Sequence, residues 1–181
     1  MTFPILETKR LMLIEIEDKH FDEIYQIFSN EEVTKYYGMC PFTNETQAKV
    51  MIESFRTRFE NKQGMRWGIV EKETNRFIGT IGLNNLLLTG KRTEIGYDLL
   101  PTFWSKGFMS EAISEVIIYC FQTLSLFRIG AVIFPENIAS SKVIEKFGFQ
   151  KEGLLRGYIY QSGESHNVYV YSLLKTDLEK D

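Results

Sequence analysis

The sequence predicts an α/β (α+β) fold, with helices on both faces of a mixed, mainly antiparallel sheet. Two patterns lead to this fold class. Apolar residues recur at spacings of three and four in four segments, and short apolar runs bounded by turn residues fill the chain between them. The resulting order is one strand, two helices, three strands, a helix, a strand, a helix and two strands. The length of 181 residues predicts a single domain over 1–181.

The first predicted elements are a strand over 11–16 and two helices. The apolar face of the first helix consists of Phe21, Ile24, Tyr25 and Phe28. The second helix is predicted to begin after Asn44, an N-cap residue that Gln47 follows three positions later. Its apolar face consists of Ala48, Met51, Ile52, Phe55 and Phe59.

The middle of the chain is rich in predicted strands. These cover 65–71, 77–83 and 93–100, and turn residues at 74–75 and 89–91 separate them. The clearest helix in the sequence follows. Its apolar face consists of Ile113, Val116, Ile117, Cys120, Phe121 and Leu124.

The last elements are a strand over 128–134, a helix that ends at Gly148, and strands over 149–160 and 166–174 joined by a turn at 162–163. This completes the seven strands and four helices of the predicted fold.

Composition argues against several functional classes. The net charge is −3 and no basic block is present, so we do not expect a nucleic-acid partner. No apolar run approaches the roughly 20 residues of a membrane helix. The only cysteines, Cys40 and Cys120, are too few for a disulfide framework and indicate a reducing cytoplasm. No His, Cys or carboxylate cluster has the spacing of a metal site.

The most informative segment is 94–112, where a predicted strand ends, a short loop contains Gly107, and the strongest helix begins. The first amides of a helix have no intrahelical partner and point outward, which makes an anion site. Gly107 would allow close approach of a phosphate to the backbone, and Lys106 would add a charge. The alternative is a tight connection capped by Ser105 or Ser110. The spacing fits neither a P-loop nor a dinucleotide-binding fold.

Five short motifs together resemble one family. They are Thr8-Lys-Arg-Leu11, Glu94-Ile-Gly-Tyr97, Trp104-Ser-Lys-Gly-Phe-Met-Ser-Glu-Ala112, Asn137-Ile-Ala-Ser140 and Lys146-Phe-Gly-Phe149. Their order and spacing resemble the GCN5-related N-acetyltransferase (GNAT) superfamily, in particular its ribosomal-protein N-terminal acetyltransferase (RimJ/RimL-like) branch. The chain departs from the family pattern at Ser105, where the branch usually has Gly, and at Met109, where the superfamily has Gly or Ala.

The resemblance implies a sheet that is splayed between the fourth and fifth predicted strands, 94–100 and 128–134. Acetyl-CoA would be the co-substrate, and its pantetheine arm would bind backbone groups of Ile95 and Tyr97. Asn137 would contact the arm from the other side. The pyrophosphate would bind the amides of Lys106, Gly107, Phe108, Met109 and Ser110. The resemblance also suggests a homodimer.

Two residues are the predicted catalytic groups. Transfer requires a neutral amine, and Glu94 is the first candidate for the base that removes its proton. The alternative for Glu94 is a strand-end carboxylate in solvent or paired with Arg92. Ser140 matches the residue that approaches the leaving sulfur in this branch, and its alternative role is to cap a helix. Ser141 is the neighbouring alternative.

Other side chains are weaker candidates. His20, predicted to lie at the surface, His166, for which cross-strand packing is the alternative, and Glu152 could act as bases. Four aromatic residues either line the acceptor side of the cleft or belong to the core: Tyr36, Tyr37, Phe42 and Trp67.

The sequence therefore predicts transfer of an acetyl group to a primary amine, with a protein N-terminus as the leading acceptor. A small-molecule acceptor (polyamine, amino acid or antibiotic) is the second hypothesis. A catalytically silent domain that binds coenzyme A as a sensor is the third.

Overall fold

The computed structural model describes residues 2–178, which form an eight-stranded sheet. The strands are β1 (Leu6–Glu7), β2 (Leu11–Glu15), β3 (Met65–Glu71), β4 (Arg76–Leu87), β5 (Arg92–Leu99), β6 (Arg128–Ile133), β7 (Gln150–Gln161) and β8 (Glu164–Leu174). Their order across the sheet is β1-β2-β3-β4-β5-β6-β8-β7. Every neighbouring pair is antiparallel except β5 and β6, which confirms the mixed, mainly antiparallel sheet.

The helices are α1 (Phe21–Phe28), α2 (Glu31–Thr34), α3 (Thr46–Glu60), α4 (Phe108–Ile118) and α5 (Ile138–Glu145). The short α2 was not predicted, although Asn30 caps it by accepting from the N–H groups of Glu32 and Val33. Asn44 is not the N-cap of α3. Instead, Gln47 Oε1 accepts from the backbone N–H groups of Thr43 (2.8 Å) and Asn44 (3.1 Å). The amide that was expected to support the cap therefore fixes the entry to the helix itself.

Two adjacent residues of β3 show that helices cover both faces of the sheet. Successive strand residues point to opposite faces. The Arg66 guanidinium lies 5.7 Å from the ring of Phe55 on α3, whereas the ring of Trp67 packs edge-on at 5.6 Å against Tyr119, directly after α4. The main core lies between the sheet and these helices and includes fully buried Trp67. No helix within residues 2–178 is long and apolar enough to span a membrane.

The sheet opens between β5 and β6. These two strands pair only at Arg92 with Arg128, Thr93 with Ile129 and Glu94 with Gly130. Both strands then continue, to Leu99 and Ile133, without pairing to each other. The predicted splay between 94–100 and 128–134 is confirmed, and it positions the candidate site.

Candidate active site

A cleft of about 920 Å³ fills the opening between β5 and β6 and continues under α3. One part is lined by the diverging strands and the start of α5. The other part lies between α3 and the last residues of β4. This second part has many polar and charged lining residues: Asn44, Thr46, Gln47, Ser54, Arg58, Arg66, Asn84, Asn85 and Glu94. The cleft therefore has a strand-edge end and a polar end.

The free edge of β5 offers backbone groups to the cleft. The N–H of Leu100 donates to the carbonyl of Ile78 at 2.8 Å, so residue 100 directs its backbone groups toward β4. Backbone direction alternates along an antiparallel pair. Ile95 and Tyr97 therefore direct their N–H and C=O groups the other way, into the region that β6 has left. This is the arrangement that an extended ligand needs to bind as an added strand.

The loop between β5 and α4 leaves the first amides of the helix uncapped. Gly107 is the N-cap residue and has φ 80°, a left-handed conformation that favours glycine. Neither Ser105 nor Ser110 caps the helix, so that alternative is wrong. The first-turn amides of Phe108, Met109 and Ser110 have no side-chain acceptor at the N-cap. Lys106 is exposed beside them, so the loop has the features of an anion site.

Arg10 and Glu111 join the N-terminal motif to this loop. Glu111 Oε1 accepts from the hydroxyl of Thr8 (2.6 Å) and the N–H of Arg10 (2.7 Å), while its Oε2 accepts from Arg10 Nε (2.7 Å). Burial tends to raise the pKa of Glu111, but these hydrogen bonds outweigh it and hold the pKa below its usual value. Arg10 also donates to the Lys106 carbonyl at 3.0 Å and lies 4.3 Å above the Phe108 ring. The Thr8–Leu11 motif thus holds the Gly107 loop in place, a role that was not predicted from the sequence.

Tyr97 and Ser140 meet across the cleft. Their hydroxyl oxygens are 2.7 Å apart. Asn137 is the N-cap of α5, and its Oδ1 accepts from the N–H of Ser140 at 3.2 Å. Ser140 is therefore not the capping side chain, and its hydroxyl is directed toward Tyr97. Burial raises the pKa of Tyr97 to about 12 despite the hydrogen bond to Ser140, so the phenol stays protonated near neutral pH. The two hydroxyl groups are thus hydrogen-bonded to each other beside the free strand edge.

Glu94 lies at the last residue pair before the strands separate and lines the polar end of the cleft. Its Oε2 accepts from Asn85 Nδ2 at 3.0 Å. Within residues 2–178, Glu94 forms no ion pair with Arg92, and that alternative is wrong. The carboxylate is thus oriented by a neutral amide at the polar end of the cleft.

Glu152 is held in an ion pair. It binds Arg128 through two hydrogen bonds of 2.7 and 2.6 Å and accepts from the hydroxyl of Ser172. The hydrogen bonds from Arg128 and then Ser172 lower the pKa of Glu152 to about 2. A carboxylate with this pKa is a poor proton acceptor, and Glu152 does not line the cleft.

Neither histidine lies in the cleft. His20 is buried, not at the surface as predicted, because its Nδ1 accepts from the Glu17 N–H and its ring packs 5.4 Å from Phe77. Burial lowers its pKa. The ring of His166 packs at 5.4 Å against Phe134, which agrees with a packing role.

The aromatic candidates divide between core and cleft. Trp67 is fully buried and donates its Nε1–H to the carbonyl of Pro4 at 2.8 Å. Tyr36, Tyr37 and Phe42 line the cleft at its α3 side. Trp67 therefore belongs to the core alone, Phe42 is buried in the core and also lines the cleft, and Tyr36 and Tyr37 line the cleft while only partly buried.

Arg66 and Asp98 are buried charged residues that sequence reasoning missed. Thr80 connects them, since its hydroxyl donates to Asp98 Oδ2 at 2.5 Å and accepts from Arg66 Nη1 at 3.4 Å. Burial raises the pKa of Asp98 to about 6, although the charge of Arg66 and the bonds from Thr80 oppose the rise. The sequence did contain an indication of Asp98, because this acidic residue directly follows Tyr97 within a predicted strand.

The described residues provide neither a metal site nor a reactive cysteine in the cleft. Within 2–178, no group of three or more His, Cys, Asp or Glu side chains could hold a metal ion. Cys120 is buried, and burial raises its pKa to about 12, so its thiol is not a nucleophile near neutral pH. Cys40 is exposed and lies outside the cleft lining.

The splayed sheet, the free edge of β5 and the uncapped start of α4 beyond it fit an acyltransferase that takes its acyl group from coenzyme A. Comparison with known proteins agrees. The family model of the acetyltransferase (GNAT) domain matches residues 10–150. The uncharacterised N-acetyltransferase YoaA of Bacillus subtilis (strain 168) is 48% identical over 173 residues, which cover 96% of this chain and 98% of YoaA.

Two further comparisons extend this result. The putative ribosomal N-acetyltransferase YdaF of the same strain is 30% identical over 80% of this chain and 78% of its own length. A crystal structure of a probable acetyltransferase superposes with a TM-score of 0.86 and 26% identity, covering 96% of this chain and 98% of that one. The chain therefore belongs to the GNAT family, which confirms the predicted family. It is an N-acetyltransferase, and acetyl-CoA is its co-substrate.

Proposed function

We propose that this enzyme acetylates a primary amine held at the polar end of the cleft, with a protein N-terminus as the leading acceptor. The observation that carries the proposal is the continuity of one cleft from the free edge of β5 to Glu94. The 30% identity to a putative ribosomal N-acetyltransferase supports a protein acceptor. A small-molecule amine is the alternative.

The donor would bind along the strand-edge end. Backbone groups of Ile95 and Tyr97 would pair with the amides of the pantetheine arm, and Asn137 would approach it from the α5 side. The pyrophosphate would accept hydrogen bonds from the amides of the loop at Lys106–Ser110. The free strand edge supports the roles of Ile95 and Tyr97, and the uncapped start of α4 supports that of the loop.

The reaction forms a C–N bond between the amine and the acetyl carbon and breaks the C–S bond of the thioester. Glu94 would take the proton that the amine loses, directly or through water. The departing thiolate would take a proton from Ser140, Tyr97 would replace it through the 2.7 Å contact, and solvent would return a proton to Tyr97 before the next turnover. An amine proton thus leaves toward one end of the cleft and a hydroxyl proton reaches sulfur at the other.

A panel of amines tests the acceptor. Purified enzyme and acetyl-CoA are incubated with N-terminal peptides, amino acids, polyamines and aminoglycosides, and released thiol is measured. Mass spectrometry of the product then locates the acetyl group. Transfer to peptide α-amines supports the proposal, and release with small amines alone would replace it by the alternative. Acetyl-CoA binding without thiol release from any amine would favour a sensor.

Three wider proposals accompany this one: residues 1–181 act as one domain, the enzyme works in the cytoplasm, and it forms a homodimer. The two unpaired cysteines are compatible with a reducing compartment. Sedimentation equilibrium of the full chain measures the oligomeric state.

A further inference from the structure

The charges at the polar end of the cleft are unequal. Two guanidinium groups, Arg58 and Arg66, line it against a single carboxylate, Glu94, among the described residues. A simple cationic amine would therefore meet a net positive wall. Buried charges usually have partners of opposite sign, so the excess of positive charge around buried Arg66 is unusual.

Two glycines on the neighbouring strands allow the Arg66 side chain to cross β4 and reach the cleft. Arg66 pairs with Gly82 in the sheet register, and Gly82 pairs with Gly96. A Cβ at Gly82 would lie 2.3 Å from the Met65 carbonyl oxygen and 2.7 Å from Arg66 Nε, so glycine leaves the room in which the Arg66 side chain crosses β4. The guanidinium then donates to the Gly96 carbonyl at 3.1 Å and to Asn84 Oδ1 at 3.2 Å.

Arg66 contacts only neutral acceptors. It forms no ion pair within 4 Å among residues 2–178, and Asp98 acts on it through the intervening Thr80 hydroxyl. The residue is 94% buried, since its relative exposure is 6%. Its charge therefore acts on the cleft through a medium that screens it weakly.

Arg58 completes the arrangement from the last turn of α3. Its side chain is exposed, and among the described residues its guanidinium makes no hydrogen bond or ion pair. Both guanidinium groups act on the same phenol. Burial raises the pKa of Tyr37 to about 12, while the charges of Arg66 and Arg58 oppose that rise.

These charges are not placed for the phosphates of the donor. The Gly107 loop follows the far end of β5, and Glu94 and Leu99 alone are separated by about 16 Å at 3.3 Å per residue. None of the residues Lys106–Ser110 lines the cleft that contains Arg58 and Arg66.

We infer that the acceptor carries a carboxylate close to its reactive amine, and that Arg58 and Arg66 bind this carboxylate while Glu94 faces the amine. Guanidinium groups bind carboxylates through paired, charge-assisted hydrogen bonds. The inference rests on the proposed function, since it names the acceptor of the same reaction. The carboxylate has two sources, a free α-amino acid or an acidic side chain near a peptide N-terminus.

Matched acceptor pairs test the inference through kcat/KM for thiol release. One pair is L-alanine and L-alaninamide. The other is the C-terminally amidated peptides Ser-Asp-Ala-Ala and Ser-Asn-Ala-Ala. We expect the carboxylate-bearing member of one pair to be preferred about 10-fold, and the pair that shows it identifies the source. Equal rates within both pairs, or a higher rate with spermidine, would overturn the inference.

Substitutions test the residues. Arg58→Gln should reduce the preference about fivefold, because one charged partner of the carboxylate is lost. Arg66→Gln should do the same, and if it does not fold, the exposed Arg58 carries the test alone. Arg56→Gln is the matched control. Arg56 lies on α3 but pairs with Asp18 and Glu53 outside this cleft. The Arg56→Gln enzyme should therefore keep the wild-type preference for carboxylate-bearing acceptors.

The outcome separates the inference from the proposed function. The inference alone fails if acceptors without a carboxylate react as fast as their carboxylate-bearing partners. It also fails alone if Arg58→Gln keeps the wild-type preference. If no amine in either pair and no polyamine releases thiol, the proposed function fails and the inference fails with it.

Discussion

The Tyr97 hydroxyl lies 2.7 Å from Ser140 Oγ, so a phenol on β5 reaches the first turn of α5 across the opening in the sheet. The Ser140 N–H is bound by Asn137 Oδ1, which holds the residue from the other side. With a pKa raised to about 12 by burial, Tyr97 remains a proton donor at any ordinary assay pH. This pair gives the clearest prediction about the leaving thiolate.

Ser140→Ala should lower kcat about 10-fold and leave the Kd of acetyl-CoA unchanged. The loss is modest because a thiol with a pKa near 8.5 is already a tolerable leaving group as its thiolate. Tyr97→Phe should lower kcat by a similar or smaller factor. Steady-state kinetics and calorimetry measure the two quantities. Ser141→Ala is the control, and a defect there in place of Ser140→Ala would show that the neighbouring hydroxyl is the donor.

Glu94→Gln should lower kcat about 100-fold near neutral pH if Glu94 is the base. The loss should shrink above about pH 8, where an α-amine is already neutral. A pH–rate profile of the two proteins measures this. Glu73→Gln, at an exposed turn position, should have no effect. An unchanged rate for Glu94→Gln would show that Glu94 is not the base and that its carboxylate serves only to bind Asn85.

Gly107→Ala should both destabilise the protein and weaken acetyl-CoA binding. The left-handed φ of 80° costs an alanine about 1–2 kcal/mol, and the new Cβ would lie 3.4 Å from Arg10 Nη2. Gly163→Ala is matched, since Gly163 has φ 84° with nothing within 4 Å of a Cβ. Denaturation should show a loss in both variants, whereas calorimetry should show weaker acetyl-CoA binding only for Gly107→Ala. Equal affinity in both would remove the loop from the donor site.

Glu111→Gln should flatten the acid side of the stability profile. The pKa of Glu111 is lower in the folded protein than in the unfolded chain, so its ionised form stabilises the fold at neutral pH. That contribution is present above the unfolded pKa, near 4.5, and is lost as pH falls through the lower folded pKa. Urea denaturation between about pH 7 and 3 should show a smaller loss for the variant. Glu7→Gln, which removes an exposed pair with Lys72, is the control.

Much of the fold was predictable because each long element carries its own periodicity. The strand over residues 65–71 was predicted with the bounds that β3 has, and α4 follows the loop where segment 94–112 placed it. The short α2 was missed because four residues cannot show a helical period. The Gln47 amide was assigned a supporting role because sequence spacing cannot say whether the Asn44 or the Gln47 side chain binds the backbone at the helix start.

The site was less predictable because its arrangement depends on contacts between distant residues. Glu94, Tyr97 and Ser140 were identified from their motifs, but the contact between Tyr97 and Ser140 joins residues 43 positions apart. Arg66 was missed because nothing local distinguishes it from a surface arginine. Its route to the cleft depends on Gly82 and Gly96, which become its neighbours only when three strands pair.

The opening between β5 and β6 has a consequence for how selective the protein is toward its own donor. An unpaired strand edge at the rim of a sheet attracts any extended chain, including other copies of the protein, and promotes aggregation. Here the unpaired edge faces inward, between two strands that are still joined at Glu94 and Gly130. An extended chain that pairs with β5 there must fit between two strands that this junction holds together. A feature that endangers solubility at the rim therefore lies, at the centre of the sheet, where the neighbouring strand limits the approach of other copies.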